Sequence, residues 1–385
     1  VKSRSMTVRA ALAGSLGACL CCAPLAAHAQ SSVTLGGILD TGLLYANNAG
    51  GHAQWTTASG QLSSSRWILS GQEDLGGGNR AIFRMMSPFN IDNGHGPGRA
   101  FNVSYVGVAN DGYGTLTLGR QWDSTIDFVS GFATNETWAG YIGAHVGDAD
   151  NTNATFKVSN TVKYASPTFA GFSFGATYGF SNQAGDFAGN RLIAAGAGWS
   201  RGPVALGVGF VQADRPDSQP AGALGAPGAG IFDDYSNTFS NSIAGNPGDA
   251  GVQRQRIWLA GASYRIGTFT LAGLYSKTQY RYLDATALTL DNYEASVTWQ
   301  MTPEWLAGVA YIRTNGRYSG EGTAGAEPGW DQLNLGTQYQ LSKRTTLYLI
   351  GVAQQGRHAQ AQIYGVTPSS TRRQLVATAG IAHRF

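Results

Sequence analysis

Apolar and polar positions alternate in segments of about ten residues from residue 33 to residue 385. That is the length a tilted β-strand needs to cross a hydrocarbon layer. Sixteen such segments can be read, and their connections alternate strictly in length. Residues 73–78, 110–113, 167–170, 201–202, 266–267, 302–303 and 342–343 form short links. Residues 47–61, 87–99, 121–157, 181–189, 214–252, 283–287, 316–328 and 357–370 form longer ones. Short turns on one rim and long loops on the other predict an all-β, 16-stranded antiparallel transmembrane barrel with both ends on the short-turn side. In the segment 64–86, Arg66, Arg80 and Arg84 share one face, and Trp67, Leu69, Ala81, Phe83 and Met85 share the other. A closed barrel in lipid turns the second set outward and the arginines toward a water-filled lumen. The reverse would cost roughly 2–4 kcal/mol per Arg at the bilayer midplane. Residues 172–178 alternate without any charge, and Tyr45, Trp67, Tyr113, Phe169, Trp199, Trp258, Trp299 and Trp305 cluster near strand ends, as interfacial girdles do.

Composition agrees with lipid rather than water around the chain. Charged residues are only 13%, against roughly 25% in an ordinary soluble domain. The mean hydropathy of -0.15 is too polar for a bundle of membrane helices. After the N-terminal segment no run of ~18 apolar residues occurs. No repeat of constant length appears, which argues against a propeller.

The N-terminal segment has Lys2, Arg4 and Arg9, an apolar run over 10–22, Pro24 and the small-residue site Ala27-His28-Ala29. It reads as a secretory signal, 1–29, cleaved to leave a barrel domain over 30–385. Cys19, Cys21 and Cys22 all lie in that signal, so disulfides are not expected to support the barrel. Of the 26 basic residues three lie there too, which leaves 23 against 23 acidic ones. A net charge near zero gives no global field for nucleic acid. The Gly- and Pro-rich stretch 214–252 reads as an external loop with little regular structure.

Sites for chemistry are not evident. His52, His95, His145, His358 and His383 are scattered and read as solvated loop or strand residues without metal-ligand spacing. Gly76-Gly77-Gly78 lacks the Lys-Ser/Thr of a phosphate loop and reads as a turn. No nucleophile is positioned beside a base. Catalytic residues, bound metal and cofactor are therefore all expected to be absent.

The stretches SSVTLGGILDTGLLY, SRWILSGQEDLGGGNRAIF, GTLTLGRQWDS, SNTVKYASPTFAGFSFGATYGF, YQLSKRTTLYLIGVAQQ and the terminal AHRF occur in an order that resembles the general porins of Gram-negative β-proteobacteria. The resemblance spans residues 31–385. It implies a homotrimer in outer-membrane lipid that passes small hydrophilic solutes and ions, with the loop after the fifth strand folded into the channel. Here that loop is 121–157, carrying Asp123, Asp127, Glu136, Asp148 and Asp150. Arg66, Arg80, Arg84 and Arg120 would face these acids across the lumen, and opposed fixed charges would set selectivity. Three positions depart from the family pattern: Gly36 where Tyr is usual, Ser70 where a further Arg is usual, and Met86 where an acid is common. They thin the charge lining and leave the sign of selectivity open. A solute-specific channel and a plugged-barrel adhesin using loop 214–252 remain as alternatives.

Overall fold

The computed structural model describes residues 31–96, 100–218, 222–225, 235, 250–323 and 325–385. The expected signal segment and most of the 214–252 loop lie outside the described residues. Strand segments are β1 (Ser32–Ala49), β2 (His52–Ser59), β3 (Arg66–Gly76), β4 (Asn79–Pro88), β5 (Val103–Asn110), β6 (Gly114–Gln121), β7 (Val158–Ala165), β8 (Phe172–Gly179) and β9 (Arg191–Arg201). They continue as β10 (Val204–Asp214), β11 (Val252–Ile266), β12 (Phe269–Tyr282), β13 (Ala287–Gln300), β14 (Trp305–Ser319), β15 (Gly329–Gln340), β16 (Thr345–Arg357) and β17 (Arg373–Arg384). All neighbours are antiparallel. The sheet closes where β17 returns to β1, from Ile38 opposite Arg384 to Ala46 opposite Val376.

Two segments share one place in the wall. β2 pairs with the upper half of β1 and β3 with its lower half, so together they form one interrupted strand of a closed 16-stranded barrel. The long loop expected over 47–61 is instead a tight turn at Gly50 and Gly51, then β2, then an inward excursion over 60–65. A buried carboxylate on β1 causes the excursion. Asp40 accepts hydrogen bonds from the Leu62 and Ser63 amides at 2.9 and 2.6 Å, and from the Tyr348 hydroxyl at 2.7 Å. The expected long link over 283–287 is also a tight turn, closed by the Thr286 carbonyl accepting from the Tyr282 amide at 3.0 Å.

Side chains alternate across the wall. On β16, Leu349 is 54% exposed outward while Ile350, directed into the barrel, is fully buried. Trp67, Leu69, Phe83 and Met85 lie on the outward register of β3 and β4, and Arg66, Arg84 and Met86 on the inward register. Aromatic pairs mark two belts on the outer surface. Near the short turns Phe269 stacks on Trp299 at 5.6 Å; nearer the loops Phe210 meets Trp258 at 4.2 Å and Tyr275 meets Tyr293 at 5.2 Å. Amphipathic rings favour the two membrane–water interfaces in this way. At the β3–β4 turn, Gly76, Gly77 and Gly78 all have positive φ, which only glycine adopts without steric cost.

The outward apolar face predicts an asymmetric response to charge. Leu349→Arg should destabilise the barrel in lipid vesicles by about 2–4 kcal/mol. Leu349→Ala should cost much less, because lipid replaces the lost contacts. Urea titration of the vesicle-folded protein reads the difference, and equal costs for the two variants would contradict the face assignment.

Candidate functional site

Residues 122–157 leave the wall after β6 and fold across the lumen. The segment opens with a five-residue helix, α1 (Ser124–Phe128), whose first turn is capped by Asp123 accepting from the Thr125 amide at 2.8 Å. Short helical turns follow at Ser130–Phe132, Asn135–Ala139, Tyr141–Gly143 and Val146–Asp148.

Inward-facing glycines seat this segment. A Cβ at Gly196 would stand 2.6 Å from the Phe128 ring, one at Gly261 2.4 Å from Phe132, and one at Gly308 2.5 Å from Trp138. Three aromatic rings thus occupy space that any other residue on the wall would fill. Val129, Phe132 and Ala133 join Leu192, Val211, Ile257 and Leu274 in a buried cluster. With Ile142 packed among Leu44, Ile350 and Val376, the segment lies against β8–β17 and β1 and leaves the β3–β5 side open.

Polar groups fasten the same seat. His145 is fully buried, with Nδ1 2.6 Å from Asp150 and Nε2 2.9 Å from Glu294 on β13. Glu294 also accepts from the Thr134 amide at 2.7 Å. Asp150 accepts from Ser276 and from Asn292 on the wall. Amides of Gln255, Gln332, Asn334 and Gln338 donate to loop carbonyls. Burial alone would drive the proton off His145, but Asp150 and Glu294 outweigh it and hold the imidazolium pKa well above its ordinary value. Burial opposes the charge on Asp150, yet His145 and the hydroxyl donors bring its pKa to about 2. Asp148 pairs with no cation among the described residues; burial and the charge of Asp150 push its pKa up to about 7.

Several sequence-predicted residues therefore sit elsewhere than expected. Asp123 caps α1 and accepts from Asn151. Asp148 accepts from the Asn153 and Thr155 amides, and Asp150 from wall side chains. These three are buried within the loop or between loop and wall rather than lining water. Asp127 does reach the lumen but pairs with Lys163 at 2.6 Å. Arg120 is buried and donates to the Lys157 carbonyl and Ser159 hydroxyl instead of facing the channel. Arg80 stands at the short-turn mouth, paired with Asp111 at 2.7 Å, away from the loop. His145, expected in solvent, is a buried anchor.

What remains at the open side is compact. Arg66, Arg384 and Lys157 share a recess of about 350 Å³ with Glu136 and Trp122. Burial raises the Glu136 pKa, against the pull of Arg66 and Lys157. Arg84 lies just below, in a second recess that also touches Trp122. Among the described residues neither Arg66 nor Arg84 forms an ion pair, and the Nε of each is buried without an acceptor. Sequence reasoning missed Arg384 as a lumenal group, although it shares the alternation of Val376, Thr378 and Ala382. Glu294 carried no local signal, since its role needs His145 from a distant loop.

The chain matches the Gram-negative porin family over residues 15–357. It belongs to that family. An outer membrane porin protein of Bordetella pertussis is 27% identical over 90% of this chain and 93% of its own. Outer membrane porin protein 32 of Delftia acidovorans is 27% identical over 84% of each. Among solved structures, an anion-selective porin from Comamonas acidovorans superposes with a TM-score of 0.72 at 23% identity, covering 92% of this chain and all of that one. The trimer form of OmpT from Vibrio cholerae gives 0.67 at 16% identity, over 92% and 99% of the two chains. This porin is thus an outer-membrane channel for passive diffusion.

Two predictions test the seat of the loop. Gly308→Val should displace Trp138, at an overpacking cost of about 1–3 kcal/mol. Cleavage of residues 122–157 by added protease, and noise in the single-channel current, should both increase. The second concerns pH. A buried acid with a raised pKa binds a proton more tightly folded than unfolded, so stability falls as pH rises from 3.8 to about 7. Asp150 has the opposite sign and is lost only as pH falls through about 2. The loop should therefore hold firmly in mild acid and loosen as Asp148 ionises. Current noise should rise through pH of about 7, and Asp148→Asn should abolish that rise.

Proposed function

We propose that this porin is a homotrimeric diffusion channel that passes small anions in preference to cations. The observation that carries the sign is the charge left facing water at the constriction. Arg66, Arg384 and Lys157 share the recess of Glu136 and Arg84 lies just below it, while the other loop acids are engaged in structural bonds or paired with Lys163. A narrow path with walls of low dielectric amplifies such an excess. The departures at Ser70 and Met86 thin the lining, but Arg384 adds to it. The Comamonas protein's description as anion-selective agrees with this reading, and the trimer form of OmpT supports the assembly.

Opposed walls still act, since Glu136 stands against the arginines and would orient dipolar solutes. The selectivity is then set mainly by the basic wall. The plugged adhesin is disfavoured because recesses lie on both sides of the loop and meet at Trp122.

The reversal potential of a reconstituted trimer in a KCl gradient tests the proposal. Chloride should permeate several-fold faster than potassium. Arg66→Gln combined with Arg84→Gln should bring the ratio close to unity. A cation-selective wild-type channel would sink the assignment, and silent bilayers from folded protein would sink the channel itself.

A further inference from the structure

Below the constriction loop, toward the short-turn rim, lies a recess of about 480 Å³ walled by Trp122, Tyr105, Phe128 and Ile82. Arg84 enters it from β4. The register sets Arg84 directly opposite Tyr105, a spacing at which cross-strand side chains touch. On its other side Arg84 faces Ser70, and Tyr105 faces Gly119 on β6, so small residues leave room beside both.

Apart from Arg84, the charged and amide side chains of the recess are engaged, and the hydroxyls of Tyr105, Thr115, Thr168 and Ser173 also line it. Asp127 is neutralised by Lys163 at 2.6 Å. Lys163 also donates to the Trp122 carbonyl at 3.0 Å, which steadies that residue. Thr117 donates to Gln121 at 2.8 Å. Two buried donors are left over, the Nε of Arg84 and the indole N–H of Trp122, and among the described residues neither has an acceptor. The net charge is one positive, beside aromatic faces.

Those leftovers define a ligand. A neutral sugar would leave the positive charge of Arg84 unanswered. A dianion such as a phosphate monoester would need a second free cation. A planar ring bearing one carboxylate supplies acceptors only, a single negative charge and an apolar face. We propose that this recess is a binding subsite for aromatic monocarboxylates of benzoate size. The ring stacks against Trp122 and Tyr105, and the carboxylate is held by Arg84. The subsite rests on the diffusion-channel reading and gives that channel a preferred class of solute.

Block of single-channel KCl current tests it, with the carboxylates benzoate, cyclohexanecarboxylate and acetate as probes and benzyl alcohol as the neutral control. Benzoate should half-block at a concentration about 3- to 10-fold lower than either of the others, the factor expected from one aromatic contact. Trp122→Leu should remove that advantage while the weak acetate block persists. Tyr105→Leu, on a different element, should reduce it independently should the Trp122 variant fail to assemble. Arg84→Gln should abolish the preference for benzoate over benzyl alcohol. Equal block by the three carboxylates in a conducting wild-type channel would overturn the subsite and leave the porin reading intact. A benzoate advantage that survives both Trp122→Leu and Arg84→Gln would likewise overturn it. Absence of KCl current would instead overturn the channel reading.

Discussion

Everything in this molecule depends on the need to satisfy backbone N–H and C=O groups inside hydrocarbon. Each unpaired group there costs several kcal/mol, and an open sheet would leave two edges of them. Pairing β17 with β1 removes both edges. Once the cylinder is closed, alternate side chains must face lipid and lumen, and the two faces come under different rules. The lipid face accepts apolar residues of almost any shape, because fluid chains fill gaps. The lumen face meets either water or a loop packed at protein density, so there the individual residue matters.

The lumen is divided unevenly for that reason. Glycines at positions 196, 261 and 308 receive Phe128, Phe132 and Trp138. Around them His145, Asp150 and Glu294 form a buried charged triad whose members compensate one another. Burying a single one of these charges would be costly. The loop is therefore held to one side of the barrel, and the aqueous path is pressed against β3–β5. Of the acids that look in the sequence like a negative wall, Asp150 builds that attachment and Asp123 and Asp148 brace the loop itself. The water-facing charge of the constriction is left dominated by arginine, which links the packing of the loop to the proposed selectivity.

Much of the architecture was legible in the linear pattern. The alternation of short and long connections corresponds to the observed barrel, and the period of two separates Trp67 and Phe83 from Arg66 and Arg84. Two connections were misjudged. Residues 47–61 contain β2, and the inward excursion after it depends on Asp40, whose partners Leu62, Ser63 and Tyr348 lie on other parts of the chain. The loop acids were misjudged more deeply. Asp127 and Glu136 differ from Asp150 in nothing that spacing or composition reveals, whereas Asp123 stands two residues before the Thr125 amide it caps.

Which face a strand residue occupies was written in the chain itself, because the pleat has a fixed period and lipid and water sort residues by a coarse physical property. Strand count, membrane setting and the inward turn of Arg66 and Arg84 follow from that local rule. Asp123 and Asp148 meet donors within seven residues, but whether Asp127, Glu136 or Asp150 faces water or a distant partner was decided only by the closed barrel. It depends on how far the loop crosses the lumen and on which of His145, Ser276, Asn292 or Lys163 it meets there. Those partners lie up to 142 residues apart in sequence, as for Asn292 and Asp150. Pairings over such distances are set by the shape of the interior, for which no short stretch of residues carries a sign.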